Sequence, residues 1–511
     1  MLWQLFFLFI SLAVSQIDVN QALNQNKLDI GSLRQNWSAK LQAMPARNYG
    51  GVNQETGAVE QQKPLREKPR DRIKVEGDTL HQVNKAAGLN DILYQGDMVL
   101  TDDQIATILE AQQDSTETTP SRARRQAYRD RYYPSTTWGT SVYYYYDRTA
   151  TPKIVKAFEQ AVAFWQNVTC INIIQSSSAL NRIRVFKGQG CYSYVGRISG
   201  VQDLSLGTGC EEPSYVEQFD KETSSTNFNY GMPYDYGSIM QYGATSASSN
   251  DKATMIARDA EYQDTMGSDF VGFYDISMMN EHYKCKELCP AGTSAQCVNG
   301  GFPSPRNCAI CICPSGYGGV LCDQRPPGCG DSLNATTAWQ TITNTIGDGL
   351  PTLRDNHTMC NYWVRAPDNQ AVEIRISGLT TVTIDGCIFG GIEIKTNKDQ
   401  KLTGYRYCSS ADQNTVHRST GSLVPIILFN RYASTKAILE YRAVTPSADA
   451  TATSATTFAP IVNSCQDLHP NCAAYAWNGF CVNQFYSLQA RHYYCAYTCG
   501  LCWMNYSNNQ Y

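Results

Sequence analysis

The residues that could do chemistry in the central part of this chain are carboxylates and tyrosines, because no histidine occurs between His81 and His282. A hydrolytic zinc centre needs imidazole nitrogens to hold the metal and a carboxylate to deprotonate its water. The acidic residues of this stretch include Glu211, Glu212, Glu217 and Asp220. Carboxylates without imidazole or thiolate make a poor zinc site and more often form a solvated face. The sequence therefore predicts no zinc site here.

A methionine-containing turn is nevertheless present, in the sequence Tyr-Asp-Tyr-Gly-Ser-Ile-Met-Gln-Tyr-Gly from Tyr234 to Gly243. This segment resembles the Met-turn of the astacin family of zinc metalloendopeptidases. In that family the methionine lies beneath the zinc, and the tyrosine two residues later ligates the metal at rest and steadies the transition state. The resemblance gives these two roles to Met240 and Tyr242.

Segments upstream of the turn resemble the same family. They are Gly190-Cys191-Tyr192-Ser193-Tyr194-Val195-Gly196-Arg197, Leu204-Ser205-Leu206-Gly207 and Gly209-Cys210. In the family the two cysteines pair and bracket the strand that holds the substrate. The resemblance implies an astacin-like domain over residues 126–285, with the additional pair Cys170 and Cys285.

The family's zinc-binding helix is missing from this resemblance. That helix reads His-Glu-x-x-His, with the two histidines on one face and the glutamate as general base. Here Cys210 is followed by Glu211, Glu212 and Pro213, and only 30 positions separate Cys210 from Met240. We expect that the helix and the strand after it have been excised, so that this chain neither binds catalytic zinc nor cleaves peptides.

The excision also has a consequence for folding. In the resembled fold the helix covers one face of the sheet, and burial of each large apolar side chain against it contributes roughly 2 kcal/mol. The typical free energy of unfolding is only about 5 to 15 kcal/mol. The sequence therefore predicts a weakened peptidase-like domain.

The composition is that of an extracellular chain. A net charge of −4 over 511 residues gives no basic footprint for nucleic acid. Residues 1–15 form a signal peptide that ends in Ala13-Val14-Ser15, with cleavage expected after Ser15. No later apolar stretch is long enough to span a bilayer, so we expect a secreted protein without a membrane span.

Twenty cysteines in a secreted chain predict ten disulfides, and they fall into even sets of four, six, four and six. The second set resembles an EGF-like module over 286–322, the third a CUB domain over 329–444, and the fourth a ShKT module over 465–502. The CUB-like cysteines are Cys329, Cys360, Cys387 and Cys408. The resemblance implies the pairs Cys191–Cys210, Cys289–Cys308, Cys297–Cys311, Cys313–Cys322, Cys465–Cys502, Cys472–Cys495 and Cys481–Cys499.

Residues 16–125 contain no cysteine and are typical of a pro-region. Thr101-Asp102-Asp103-Gln104 predicts a helix start with a capping box. The segment ends in Arg122-Ala123-Arg124-Arg125, which fits cleavage after Arg125 by a furin-type convertase. Tyr94-Gln95-Gly96-Asp97 resembles the family's zymogen switch, in which the aspartate caps the zinc; without zinc, Asp97 is a relic.

Within residues 126–285, Thr151 and Pro152 predict a helix start, and Ile154, Phe158, Val162 and Trp165 give that helix an apolar face. Alternation at Val142, Tyr144 and Tyr146, and again at Ile183 and Val185, predicts strands. Runs of alternating residues in the CUB-like part favour an antiparallel sandwich. Residues 445–464, rich in alanine, serine and threonine, predict a flexible linker. Glycosylation sequons occur at Asn36, Asn167, Asn334, Asn356 and Asn505.

The predicted fold class is a multidomain α+β chain. It comprises an incomplete astacin-like metzincin domain, a disulfide-rich EGF-like module, a β-sandwich CUB domain and a small disulfide-rich helical ShKT module. Three hypotheses for function follow. The chain is an inactive splice form or paralogue whose CUB and ShKT modules bind extracellular proteins or glycans, an incomplete gene model of an active zinc endopeptidase acting on matrix or cuticle proteins, or a product that misfolds.

Overall fold

A computed structural model describes residues 68, 70–74, 80–89, 93–94, 97–113, 127–128, 133–210, 227–246, 248 and 252–446, with scattered positions between 472 and 501. The chain divides into two compact units, Met1–Ser447 and Ala448–Tyr511. The predicted positions Ser15, Asn36, Arg125, Glu211, Glu212, Glu217, Asp220, Cys465, Cys502 and Asn505 lie outside the described residues, as does most of the 445–464 linker. In the described part, no helix has the length and apolar character needed to cross a bilayer.

The N-terminal segment (residues 68–113) contains two helices and one short strand. These are α1 (Leu80–Ala86), β1 (Met98–Val99) and α2 (Asp102–Gln113). The predicted capping box is confirmed at the start of α2. The Thr101 amide donates to Gln104 Oε1 at 2.6 Å, and the Gln104 amide donates to Thr101 Oγ1 at 3.3 Å.

The sheet module (residues 127–288) is built on a mixed sheet that β1 of the N-terminal segment joins. Its strands are β2 (Ala127–Tyr128), β3 (Ser141–Tyr146), β4 (Asn172–Gln175), β5 (Arg182–Phe186), β6 (Cys191–Tyr194), β7 (Val201–Leu206) and β8 (Asn227–Phe228). The six-stranded sheet has the order β1-β6-β7-β5-β3-β4, while β2 and β8 form a separate antiparallel pair. Within the six-stranded sheet, β6 and β7 run antiparallel and the other neighbours run parallel.

Helix α3 (Pro152–Val168) covers the sheet with the predicted apolar face. Thr151 caps it, since Thr151 Oγ1 accepts a hydrogen bond from the Ile154 amide at 3.3 Å. Ile154, Phe158, Val162 and Trp165 are all buried in one core with the sheet residues. A second helix, α4 (Phe273–His282), is buried on nearly every side and joins the same core.

The hairpin module (residues 289–327) carries β9 (Phe302–Ser304) and β10 (Asn307–Ile312). Arg306, at the turn between them, donates to the carbonyls of Gln166, Thr169 and Ile171 at the end of α3, at 2.6 to 2.8 Å. On the other side, Trp363 Nε1 donates to the Gly316 carbonyl at 2.7 Å. The module therefore packs against both of its neighbours.

The sandwich module (residues 329–446) consists of two packed sheets, of five and four strands. Its strands are β11 (Ser332–Asn334), β12 (Gln340–Gly347), β13 (Thr358–Arg365), β14 (Ala371–Thr380), β15 (Gly390–Ile394), β16 (Tyr405–Tyr407), β17 (Val416–Arg418), β18 (Leu423–Asn430) and β19 (Ser434–Val444). The sheet orders are β11-β13-β18-β15-β16 and β12-β19-β14-β17. The neighbouring strands run antiparallel, as predicted, except that β11 runs parallel to β13.

Within the described residues, each disulfide for which the family resemblances imply a partner has that partner, and the sandwich module adds Cys329–Cys360 and Cys387–Cys408. The disulfides are Cys170–Cys285, Cys191–Cys210, Cys289–Cys308, Cys297–Cys311, Cys313–Cys322, Cys329–Cys360 and Cys387–Cys408 in the first unit, and Cys472–Cys495 and Cys481–Cys499 in the second. Such bonds stabilise chiefly by restricting the unfolded chain.

Candidate functional site

The methionine turn is fixed by a buried carboxylate at the start of α4. Asp275 accepts hydrogen bonds from the Ile239 amide at 3.0 Å and the Gly272 amide at 2.8 Å, and from the Ser238 hydroxyl. Its side chain also lies at a helix N-terminus, where the peptide dipoles favour a negative charge. The turn is thus held by hydrogen bonds to Asp275 of α4.

Met240 and Tyr242 follow this anchor in the turn. The Met240 amide donates to Ser238 Oγ at 3.2 Å, and the Met240 side chain is half-buried. The Tyr242 side chain is buried, with 2% of its surface exposed. Between them, Gln241 Oε1 accepts from the Tyr234 hydroxyl. The Gln241 amide closes the turn on the Ser238 carbonyl at 3.0 Å, and the tyrosine that follows is enclosed.

The donor atoms around this turn do not fit a catalytic zinc ion. Zinc of this kind takes three protein ligands that nearly always include histidine. His282, the first histidine after His81, is buried near the end of α4, and its Nδ1 lies 2.6 Å from the Tyr230 hydroxyl. Among the residues that the structure describes, no three histidine, cysteine, aspartate or glutamate side chains are grouped to hold a metal ion.

The outer edge of β6 is paired with the N-terminal segment. β1 runs parallel to β6, with Met98 opposite Ser193 and Val99 opposite Tyr194. The Ser193 amide donates to the carbonyl of Asp97 at 3.1 Å. Asp97 is thus brought to the edge strand and its side chain is buried. An edge paired in this way cannot accept an added peptide strand.

Two side chains of the N-terminal segment extend this contact to both ends of β6. Asn84 bonds the Cys191 backbone twice, accepting from its amide at 2.7 Å and donating to its carbonyl at 2.8 Å. Gln104 Nε2 donates to the Val195 carbonyl at 3.1 Å. A Cβ at Gly190 would lie 2.5 Å from Asn84 Oδ1, so only glycine permits this approach.

A second contact of the N-terminal segment is ionic. We call Asp264, Asp385 and Asp412 the acidic seat; Asp264 belongs to the sheet module and the other two to the sandwich module. Lys68 forms ion pairs with Asp264 and Asp412, and Arg70 lies 2.7 Å from the Asp385 carboxylate. Two further hydrogen bonds join Asp71 to Thr383. The Asp71 amide donates to the Thr383 carbonyl at 2.8 Å, and the Thr383 amide donates to Asp71 Oδ2 at 2.9 Å.

Burial sets the ionisation of the seat. It raises the pKa of Asp385, which the charge of Arg70 opposes. Burial and the neighbouring Asp264 raise the pKa of Asp412 to about 6, while Lys68 lowers it. Burial alone would lower the pKa of Lys68, but the two carboxylates reverse this and raise it. The seat therefore stabilises a cation and is destabilised when empty.

The sequence singled out the turn residues and Asp97, whose predicted roles stay predictions, but not the acidic seat. The charged run from Lys63 to Lys74 was a signal that this part of the chain could form ion pairs. No local pattern identified the carboxylates, because Asp264 and Asp412 are about 200 and 340 positions away in the chain.

The family model described as "Astacin", a peptidase family, matches residues 130–216 and 212–284. The two matched segments overlap at residues 212–216. A second model, "ShK domain-like", matches residues 464–502.

Curated relatives match nearly the whole chain. "Zinc metalloproteinase nas-31" of Caenorhabditis elegans is 75% identical over 587 residues, covering 100% of this chain and 95% of that protein. "Zinc metalloproteinase nas-32" of the same organism is 33% identical over 506 residues, covering 83% of this chain and 75% of that protein.

Two solved structures align with parts of the chain. The hatching enzyme zinc-protease High choriolytic enzyme 1 of Oryzias latipes is 20% identical with a TM-score of 0.25, covering 31% of this chain and 98% of that chain. The CUB1-EGF-CUB2 domains of rat MASP-1 are 12% identical with a TM-score of 0.19, covering 27% of this chain and 49% of that chain. These TM-scores are too low to establish a shared overall fold.

Proposed function

Because the chain belongs to the astacin family, we propose that it is a secreted, catalytically silent member that acts by binding extracellular partners. The observation that carries this proposal is the missing histidine set. No histidine occurs between His81 and His282, and catalytic zinc in a metzincin needs three of them. Zinc is the cofactor of the family and is not bound by this chain.

The comparisons support an internal deletion. The alignment with the 75% identical relative extends over 587 positions, and this chain has 511 residues, so at least 76 positions of the alignment have no residue here. The two pieces of the family match meet at 212–216, beside the junction of Glu212 and Pro213. Both observations are expected if the zinc-binding helix has been lost.

The remaining modules supply the binding function. The sandwich module resembles a CUB domain, and the last six cysteines resemble a ShKT module. Modules of these kinds bind extracellular proteins or glycans. The peptidase-like part then serves as a scaffold, and cleavage after Arg125 by a furin-type convertase would not switch on an activity.

The test is made on secreted protein cut after Arg125. Zinc content is measured by elemental analysis beside cleavage of a denatured protein substrate, with and without chelator. We expect no stoichiometric zinc and no chelator-sensitive cleavage. Near-stoichiometric zinc with chelator-sensitive cleavage would overturn the proposal.

A matched chimaera shows whether the assay can detect activity. It carries an insertion between Glu212 and Pro213. The inserted segment is the one that the 75% identical relative has at the matching position. We expect the chimaera to bind zinc and cleave the same substrate. If it does so while the chain itself does not, the missing segment accounts for the silence.

The second candidate is an active zinc endopeptidase whose gene model lacks this segment. The names of both relatives and the two-piece family match favour it specifically. Sequencing the transcript across Glu212 and Pro213 separates the two. If the transcript encodes only the longer form, the protein is an active enzyme that acts on proteins of the extracellular matrix or cuticle. If the transcript encodes the short form, the silent form is supported. Failure to secrete the short form would support the misfolding hypothesis.

A further inference from the structure

The N-terminal segment is bound to the remainder of the first unit by apolar, backbone and ionic contacts. We propose that this segment stays bound as a noncovalent subunit after the chain is cut following Arg125. Its partner is the combined surface of the sheet and sandwich modules. This goes beyond the proposed function, since retention of the segment does not depend on whether zinc is bound.

The apolar contact is a shared core. Eight residues of the segment belong to the core cluster of the sheet module: Val83, Leu89, Leu93, Tyr94, Met98, Val99, Leu100 and Ile105. Leu89 and Val99 are 1% and 2% exposed, and they lie in one cluster with Leu204 and Leu206 of β7. Departure of the segment would return this apolar surface to water, which is unfavourable.

The backbone contact completes a sheet. β1 provides the outer neighbour of β6, and the side chains of Asn84 and Gln104 bond the backbone of Cys191 and Val195. If the segment left, an edge strand would be exposed, and exposed edges promote nonspecific association.

The ionic contact holds the segment at the junction of two modules. Lys68 reaches Asp264 of the sheet module and Asp412 of the sandwich module, and Arg70 reaches Asp385. Asp385 also accepts from the Thr245 amide at 2.8 Å, so the same carboxylate joins both modules to the segment. Without the two cations, three neighbouring carboxylates would lose the opposite charges that pair with them, which favours keeping the segment.

No disulfide can tether the segment once the chain is cut, because the first cysteine is Cys170. Retention would therefore be entirely noncovalent. On a denaturing gel without reductant the two fragments would run separately. This makes the proposal testable by separation under native conditions.

The experiment uses full-length secreted protein in which residues 122–125 are replaced by the recognition sequence of a site-specific protease. After complete cutting at micromolar concentration, the sample is run on size exclusion and the fractions are resolved on a denaturing gel. We expect the N-terminal fragment to co-elute with the larger fragment. Separation of the two fragments would overturn the proposal.

Charge reversal tests the acidic seat within the same assay. The variant Lys68→Glu/Arg70→Glu should lower the affinity of the cut fragment by about tenfold or more, because charge-assisted contacts become repulsive. The matched control Arg72→Glu/Lys85→Glu changes two exposed residues of the same segment by the same charge and should retain the fragment. An equal loss in both variants would contradict a specific seat.

A change on the other side of the contact covers the case in which the first variant is not secreted. Asp385→Asn removes the charge that faces Arg70 while keeping the size of the side chain. We expect its cut fragment to dissociate faster than that of the unchanged protein. Unaltered dissociation in Asp385→Asn would count against the seat. Neither outcome involves zinc or peptide cleavage, so this test and that of the proposed function can fail separately.

Discussion

Thr403 of the sandwich module donates to the carboxylate of Asp235 from both its amide, at 3.3 Å, and its hydroxyl, at 3.2 Å. Asp235 lies in the methionine turn and is 2% exposed. The same carboxylate accepts from the Gly237 amide at 3.0 Å. The buried Asp235 carboxylate therefore accepts hydrogen bonds from both the sheet module and the sandwich module. A buried carboxylate requires such hydrogen-bond partners.

Aromatic packing reinforces this junction. Tyr236 of the turn stacks on Tyr262, with ring centroids 4.8 Å apart, and the Tyr262 hydroxyl donates to the Thr403 carbonyl at 3.1 Å. Tyr262 in turn packs against Tyr405 of β16, at 4.4 Å. The turn is held by Asp275 from within the sheet module and by Thr403 from the sandwich module, so its shape does not depend on a metal beneath it.

We predict that Gly237→Ala disrupts this junction. A Cβ at this position would lie 2.2 Å from Thr403 Cγ2 and 2.4 Å from Thr403 Cβ. Overpacking of a buried contact costs about 1 to 3 kcal/mol, which lowers the thermal midpoint of unfolding. The measurement is thermal unfolding of the secreted protein followed by circular dichroism.

Gly292→Ala is the control for this prediction, since no atom of the described residues lies within 4 Å of the added Cβ. Equal midpoints for Gly237→Ala and the unchanged protein would show that the junction is not formed in solution.

We predict that Arg306→Ala loosens the hairpin module from α3. Besides the three carbonyls at the end of α3, its guanidinium donates to Asn172 Oδ1 at 2.7 Å. Net contributions near 1 kcal/mol per hydrogen bond, reduced by the exposure of this side chain, give a loss of roughly 1 to 2 kcal/mol. Limited proteolysis should cut within residues 289–327 faster in this variant. Arg258→Ala is the control, because Arg258 is exposed and lies outside the hairpin module, and equal rates in the two variants would refute the role of Arg306.

A pH dependence of stability is expected from His357. Burial lowers its pKa to about 4, although Asp269, whose Oδ2 lies 3.8 Å from Nε2, acts in the opposite direction. Arg431 and Arg406 add to the lowering. The folded protein thus keeps this imidazole neutral in a range where the unfolded chain, with a pKa near 6.5, takes up a proton.

The sign of the effect follows from linkage. Because the unfolded chain binds more protons between pH 6.5 and 4, the stabilisation is complete above pH 6.5 and is lost as the pH falls toward 4, by roughly 3 kcal/mol at most. Denaturant unfolding at pH 7 and pH 4.5 measures it. In His357→Gln this part of the pH dependence should disappear, and an unchanged dependence would refute the assignment.

Local patterns were sufficient for the elements but not for the junctions between them. The cap at Thr151 and the apolar face of α3 could be predicted, because both depend on residues within one or two turns of helix. The pairing of Thr403 with Asp235 could not, because these residues are 168 positions apart and each is common in surface loops. The parallel pairing of β11 with β13 could not be predicted either, because alternation indicates a strand but not the direction of its neighbour.

The acidic seat predicts that retention of the cut N-terminal fragment depends on pH. Asp412 is faced by Lys68 of the fragment, by Asp264 and by the Tyr407 hydroxyl, and its pKa in the bound state is raised to about 6 by burial and by Asp264. Protonation of Asp412 in the bound state removes the charge that pairs with Lys68. The Lys68–Asp412 ion pair is therefore complete at high pH and is lost as the pH falls through about 6, which weakens this contact of the fragment.

The measurement is the retained fraction of the cut fragment on size exclusion at pH 7.5 and pH 5.5. We expect less retention at pH 5.5 in the unchanged protein. Asp412→Asn should bind the fragment more weakly at pH 7.5 and should lose most of the difference between the two pH values, because the titrating group is gone. A pH difference of the same size in Asp412→Asn would mean that another group governs the release, since the substitution leaves Asp264, Asp385 and both cations of the fragment in place.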